Sequence, residues 1–105
     1  MTYITHNTYY DEHILECSGH TGFAKRGNDI LCSAISILIL TLHYYLTEAE
    51  KIGLVSNLIS DIHSGYANIR FICEGGSEAD KCFSAITGGF RMLAESFPDY
   101  IFYEE

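Results

Sequence analysis

A chain of 105 residues is long enough to bury one hydrophobic core and too short for two, so residues 1–105 are expected to form a single domain. With 48% apolar and 19% charged residues it is not a disordered chain, and a formal net charge of −8 argues against a partner recognised through a phosphate backbone. That charge suits a basic partner.

Four cysteines, at 17, 32, 73 and 82, form no C-x-x-C pair and no zinc-ligand spacing, and no basic, apolar signal segment opens the chain. Free thiols in a reducing cytoplasm, with no metal and no cofactor, are the expectation.

Thr2 to Tyr9 is rich in β-branched and aromatic residues and reads as a strand. Asp11-Glu12-His13 reads as a turn, and Ile14 to Ser18 as a second strand pairing with the first. Alternation turns Leu15 and Cys17 inward and Glu16 and Ser18 outward, with Cys17 a small buried hydrophobe. The loop that follows holds Gly19, Gly22 and Gly27 and one charge cluster, Lys25-Arg26, which is either solvated or in contact with a substrate carboxylate.

Asn28 and Asp29 are good N-cap residues for the helix that begins at Ile30. Ile30 to Thr47 carries no formal charge and is near the lower length limit for a membrane span. Ser33, Ser36, Thr41 and His43, a polar cap and the lack of a basic flank favour instead a helix buried on both faces, against the sheet and against a neighbouring helix or second subunit. Ile35, Leu38, Leu42, Tyr45 and Leu46 form a stripe that Ile37, Ile39 and Tyr44 widen, a width that predicts a homodimer. Glu48, Glu50 and Lys51 close the helix and Gly53 ends it.

Leu54 to Ile62 and Tyr66 to Cys73 read as two further strands around a Ser64-Gly65 turn, with His63 as a solvated residue. In the second of them Ile69, Phe71 and Cys73 alternate with Asn68 and Arg70. Gly75-Gly76 interrupts, and Ser77 with Asp80 resembles a capping box. From Glu78 to Phe97 the spacing of Ala79, Phe83, Ile86, Phe90, Leu93 and Phe97 predicts a helix with one buried face. Gly88-Gly89 costs that helix about 1 kcal/mol per residue relative to alanine, which points to a close backbone contact. Pro98 stops it, and Tyr100 to Tyr103 allows a short last strand. The expected class is α/β of the α+β type, a small, mostly antiparallel sheet built from two hairpins with two main helices, in the order β-β-α-β-β-α.

Chemistry concentrates between Gly19 and Ser36. Cys32 falls in the first turn of the first helix, where the macrodipole favours a thiolate and free N–H groups can cradle an oxyanion. His20 sits at the end of the second strand, and a pliable glycine loop lets it fold back towards Cys32 as a base.

The run Gly19-His20, Gly22, Ala24, Gly27, Asp29-Ile30, Cys32, Ala34 and Ser36 resembles the signature of the bacterial ribosomal-processing cysteine proteases. The resemblance implies a small α/β sandwich that removes the N-terminal extension of a large-subunit ribosomal protein, a peptide rich in phenylalanine near the cut. By motif, His20 matches the catalytic histidine and Cys32 the nucleophile. Asp29 and Ser36 are candidate supporting residues, and Gly19, Gly22 and Gly27 form the substrate loop, expected to move and to close on a peptide. Thr21, Leu31 and Ser33 depart from the alanine, valine and alanine common in that family. Tyr44, Tyr45, Tyr66, Phe23 and Phe90 are candidates for apolar substrate contacts. The expected partners are that ribosomal protein and a second copy of the chain, with no nucleic acid and no membrane. The rival reading is a non-enzymatic ribosome-assembly binding module with an unactivated cysteine.

Overall fold

The structure, a computed structural model, describes residues 1–25 and 27–105. Two strands, β1 (Thr2–Tyr9) and β2 (Glu12–Ser18), precede helix α1 (Ile30–Lys51); β3 (Ser56–His63) and β4 (Tyr66–Ile72) precede helix α2 (Glu78–Ser96), and β5 (Ile101–Glu104) ends the chain. They build one five-stranded sheet in the order β3-β4-β2-β1-β5. The two hairpins and their β2–β4 junction are antiparallel, as expected, whereas β5 lies parallel to β1. The sheet is therefore mixed, because α2 carries the chain back along the sheet before β5 pairs.

One face of the sheet is apolar and carries both helices. Register shows why: Leu15 pairs with Ile69, and Cys17 lies opposite both Ile4 and Ala67, so every one of these buried side chains falls on the same face. Phe71, Phe83 and Phe90 are almost fully buried between sheet and α2. The opposite face is mixed: Glu16 accepts hydrogen bonds there from the Tyr66 hydroxyl and Asn68 Nδ2, and Tyr3, Ile59 and Phe102 are exposed on it.

The first hairpin departs from the sequence reading at its turn. The first turn is only Tyr10-Asp11, and His13 belongs to β2. Polar residues at a strand start look like turn residues in sequence; here the His13 ring is stacked on Phe71 at 5.2 Å and held by aromatic packing. Within one chain the long first helix is buried on one side. It buries Leu31, Ile35, Ile39, Leu42, Leu46 and Ala49, while Ile37, Leu40 and Tyr44 are exposed. Among the described residues α1 is the one helix long and apolar enough to cross a membrane, with mean hydropathy 1.8.

The glycine pair in α2 has the contact its cost implied. A Cβ on Gly89 would lie 3.1 Å from the Leu38 side chain, so α1 and α2 approach closely there, whereas Gly88 faces nothing within 4 Å.

Candidate active site

The end of β2 and the start of α1 meet at one side of the sheet because β2 pairs with β4 up to Ser18–Tyr66. Just beyond, the Gly19 N–H donates to the Gly65 carbonyl at 2.9 Å. Gly19 is at φ 90°, and a Cβ there would lie 2.5 Å from the Met1 carbonyl oxygen, so only glycine fits. The imidazole of His20 then lies over Gly65, its Nε2 2.9 Å from where a Cβ would stand.

The loop between His20 and α1 is organised by a single carboxylate. Asp29 is the N-cap of α1, and its Oδ1 accepts from the N–H groups of Leu31 and Cys32, each at 3.0 Å. Its Oδ2 accepts from the Thr21 hydroxyl at 2.5 Å and from the N–H groups of Phe23 and Ala24 at 3.0 and 3.3 Å. Burial pushes the Asp29 carboxyl up, but donors from Thr21, Cys32, Ala24 and Phe23 outweigh it and bring it down to about 2. Asp29 is thus a buried anion that binds loop to helix. The first-turn N–H groups expected to cradle an oxyanion are, at Leu31 and Cys32, already engaged by it.

Cys32 is half-buried on the first turn of α1, and its Sγ lies 3.3 Å from the Thr21 hydroxyl. Thr21 therefore bridges Asp29 and the sulfur. The sequence marks Thr21 only as a departure from the alanine common in the family; its role does not show there because its partners are eight and eleven residues away. The other cysteines are placed differently. All four are free thiols, and burial, reinforced by the neighbouring Cys32, pushes the Cys17 thiol up to about 12. Cys73 is buried and likewise pushed up by desolvation.

A cleft of about 810 Å³ opens over these groups, lined by His20, Cys32, Asp29, Ser36 and the three loop glycines 19, 22 and 27. Gly22 and Gly27 have φ of 73° and 92°. Ser36 is one helical turn beyond Cys32 and faces the same space. The far wall is the β3–β4 turn, with His63, Ser64, Gly65 and Tyr66. His63 was read as a solvated residue; it is exposed, yet it borders the cleft with its ring stacked on Tyr66 at 5.1 Å. Of the aromatic residues considered for substrate contacts, Tyr66 lines the cleft, whereas Phe90 is sealed in the core. Phe23 turns its ring edge to Tyr100 and Phe97, at 5.3 and 6.1 Å, and Tyr45 points its hydroxyl to Glu78. Lys25 is exposed; its neighbour in the predicted charge cluster, Arg26, lies outside the described residues.

A sheet backed by two helices, with a thiol at a helix start and an imidazole just past a strand end lining one cleft, makes the chain an α+β protein with a cleft suited to thiol chemistry. The sequence profile of the family described as cysteine protease Prp matches residues 1–102, and the chain belongs to that family of cysteine proteases. A search of curated protein sequences gives no significant match. Among solved structures, the chain is similar to the essential ribosomal processing protease Prp from S. aureus in complex with a covalently linked product peptide, at 18% identity and TM-score 0.77 over 100% of both chains. The same S. aureus protease in complex with a substrate peptide gives 17% identity and TM-score 0.70 over 100% of both chains. SMU.848 from Streptococcus mutans gives 22% identity and TM-score 0.66, covering 99% of this chain and 92% of that one.

Proposed function

We propose that residues 1–105 form one cytoplasmic endopeptidase domain in which Cys32 and His20 are the nucleophile and the general base, and that it removes the N-terminal extension of a large-subunit ribosomal protein. The observation that carries the pairing is the shared cleft: Cys32 stands at the start of α1 and His20 at the end of β2, on the wall of one cavity large enough for a peptide. Family membership supplies the reaction type, and the staphylococcal relative, described as a ribosomal processing protease, supplies the substrate class.

In the mechanism His20 takes the Cys32 thiol proton as the sulfur attacks the scissile carbonyl carbon. The imidazolium gives that proton to the leaving amine, and the acyl group remains on the sulfur as a thioester. Water, deprotonated by His20, then attacks the thioester and releases the acid, restoring the thiol. Asp29 opposes the positive end of the α1 dipole, so the protonated His20 is the cation that stabilises the thiolate. Asp29 and Thr21 act as positioning residues that hold the loop and the sulfur. Ser36, with the loop around Gly22 and Gly27, flanks the bound peptide, and Tyr66 gives it an apolar contact.

The outer face of α1, with Ile37, Leu40 and Tyr44 exposed, is the surface on which we place a homodimer contact. Ile37 and Leu40 also border the cleft, so a second copy there would stand beside the substrate. The acidic charge of −8 suits a basic substrate and disfavours direct contact with nucleic acid.

The test is cleavage of the extended ribosomal protein by wild type, Cys32→Ala and His20→Ala. Loss of cutting in Cys32→Ala with retained circular dichroism is expected. Continued cutting by it would remove the sulfur from the mechanism.

A further inference from the structure

A second cluster of reactive side chains lies at the other end of the sheet. His13 is near the start of β2, Cys73 directly follows β4, and Asp80 is in the first turn of α2. His13 and Cys73 are buried and Asp80 is half-buried. One donor atom from each lies within 4.8 Å of the others. His13 Nε2 and Asp80 Oδ1 are 3.3 Å apart, close to the edge of about 3.3 Å that nitrogen and oxygen ligands span around a tetrahedral zinc.

The hydrogen bonds around the cluster leave these atoms facing one another. Asp80 Oδ2 accepts from the Gly76 N–H at 2.8 Å, so Oδ1 is the oxygen left for His13. His13 Nδ1 lies 3.0 Å from His6 Nε2, and His6 Nδ1 lies 3.3 Å from Glu105 Oε2. Glu105, His6, His13 and Asp80 therefore stand in series, with the Thr8 hydroxyl beside the two imidazoles, 3.1 Å from His6 Nε2 and 3.3 Å from His13 Nδ1. In the tautomer in which His6 donates to Glu105 and His13 Nδ1 donates to His6, His13 Nε2 carries a lone pair directed to the Asp80 side, as a metal ligand must. The Cys73 Sγ completes the group within 4.8 Å.

We propose that His13, Cys73 and Asp80 bind a zinc ion, through Nε2, Sγ and Oδ1, with water as the fourth ligand. Zinc accepts mixed sulfur, nitrogen and oxygen donors and requires no fixed geometry from its d electrons. On binding, the Cys73 thiol loses its proton to solvent and a Zn–S bond forms; His13 binds as neutral imidazole with its proton on Nδ1. His6, backed by Glu105, orients that imidazole from outside, the role a carboxylate plays behind a metal-bound histidine. The ion ties the start of β2, the end of β4 and the first turn of α2 together. It lies at the opposite end of β2 from His20, so it clamps the fold and takes no part in peptide cleavage. Sequence spacing does not show the site because its ligands come from three separate elements.

The experiment uses untagged, chelator-treated Cys32→Ala protein, so that the catalytic cleft offers zinc no thiol. Zinc uptake of one equivalent is expected, with a rise in Tm of about 5 °C or more at saturating zinc. Cobalt(II) in place of zinc should give a thiolate charge-transfer band in the near ultraviolet. In Cys32→Ala/Cys73→Ser the band should vanish and affinity should fall at least tenfold. Cys32→Ala/Asp80→Asn, which keeps an acceptor for the Gly76 N–H, should fold and lose affinity to a similar degree. Unchanged uptake in both double variants, or no uptake by folded Cys32→Ala protein, would overturn the site. Because Cys32 is absent throughout, neither result depends on the proposed catalytic pair.

Discussion

Asp29 shows how one side chain sets a local structure. Its two oxygens take donors from both the glycine loop and the first turn of α1, so the carboxylate caps a helix and closes a loop at once. Thr21→Val keeps the volume and deletes the hydroxyl that donates to Asp29, and should cost about 2 kcal/mol in urea denaturation. The pH dependence follows from the carboxyl at about 2, below the unfolded value of about 3.9. Ionised Asp29 contributes its full stabilisation above about pH 4, and this is lost as pH falls towards about 2. In Asp29→Asn, which still caps the helix, this contribution is missing. The stability gap between wild type and Asp29→Asn should therefore be largest near neutral pH and shrink below pH 4, read from urea midpoints across that range.

At the scale of elements, the two helices were legible for different reasons. α2 announces itself by its three-and-four spacing and by Ser77, whose side chain accepts from the Asp80 N–H at 3.2 Å. α1 is read from its polar cap and unbroken apolar run, yet that run does not say which side faces the sheet. The glycine pair separates propensity from packing. Gly88→Ala meets nothing within 4 Å and should stabilise the protein by about 0.5–1 kcal/mol. Gly89→Ala places a methyl 3.1 Å from Leu38 and should give no such gain, since the helices must separate to admit it. Paired thermal melts of the two variants make the comparison.

For the whole molecule, the open question is what covers the outer side of α1. Ile37 and Tyr44 are 62% and 70% exposed and with Leu40 line one side of the helix, an apolar patch of the kind that marks an interaction surface. A solution mass of two chains is expected for wild type, and Ile37→Glu/Tyr44→Glu should halve it while leaving circular dichroism unchanged. A monomeric mass for wild type would rule out the homodimer.

Composition, alternation and capping residues in the sequence determined the element order, both helices and the positions of His20 and Cys32, because each of these depends on neighbours a few residues apart. The parallel pairing of β5 with β1, the fixed role of Gly19 against Met1, the Thr21 link to the Cys32 sulfur and the gathering of His13, Cys73 and Asp80 were decided only by tertiary structure. The physical reason is range: these contacts join residues brought together by sheet pairing and helix packing, and no local preference of the chain encodes which distant partner arrives.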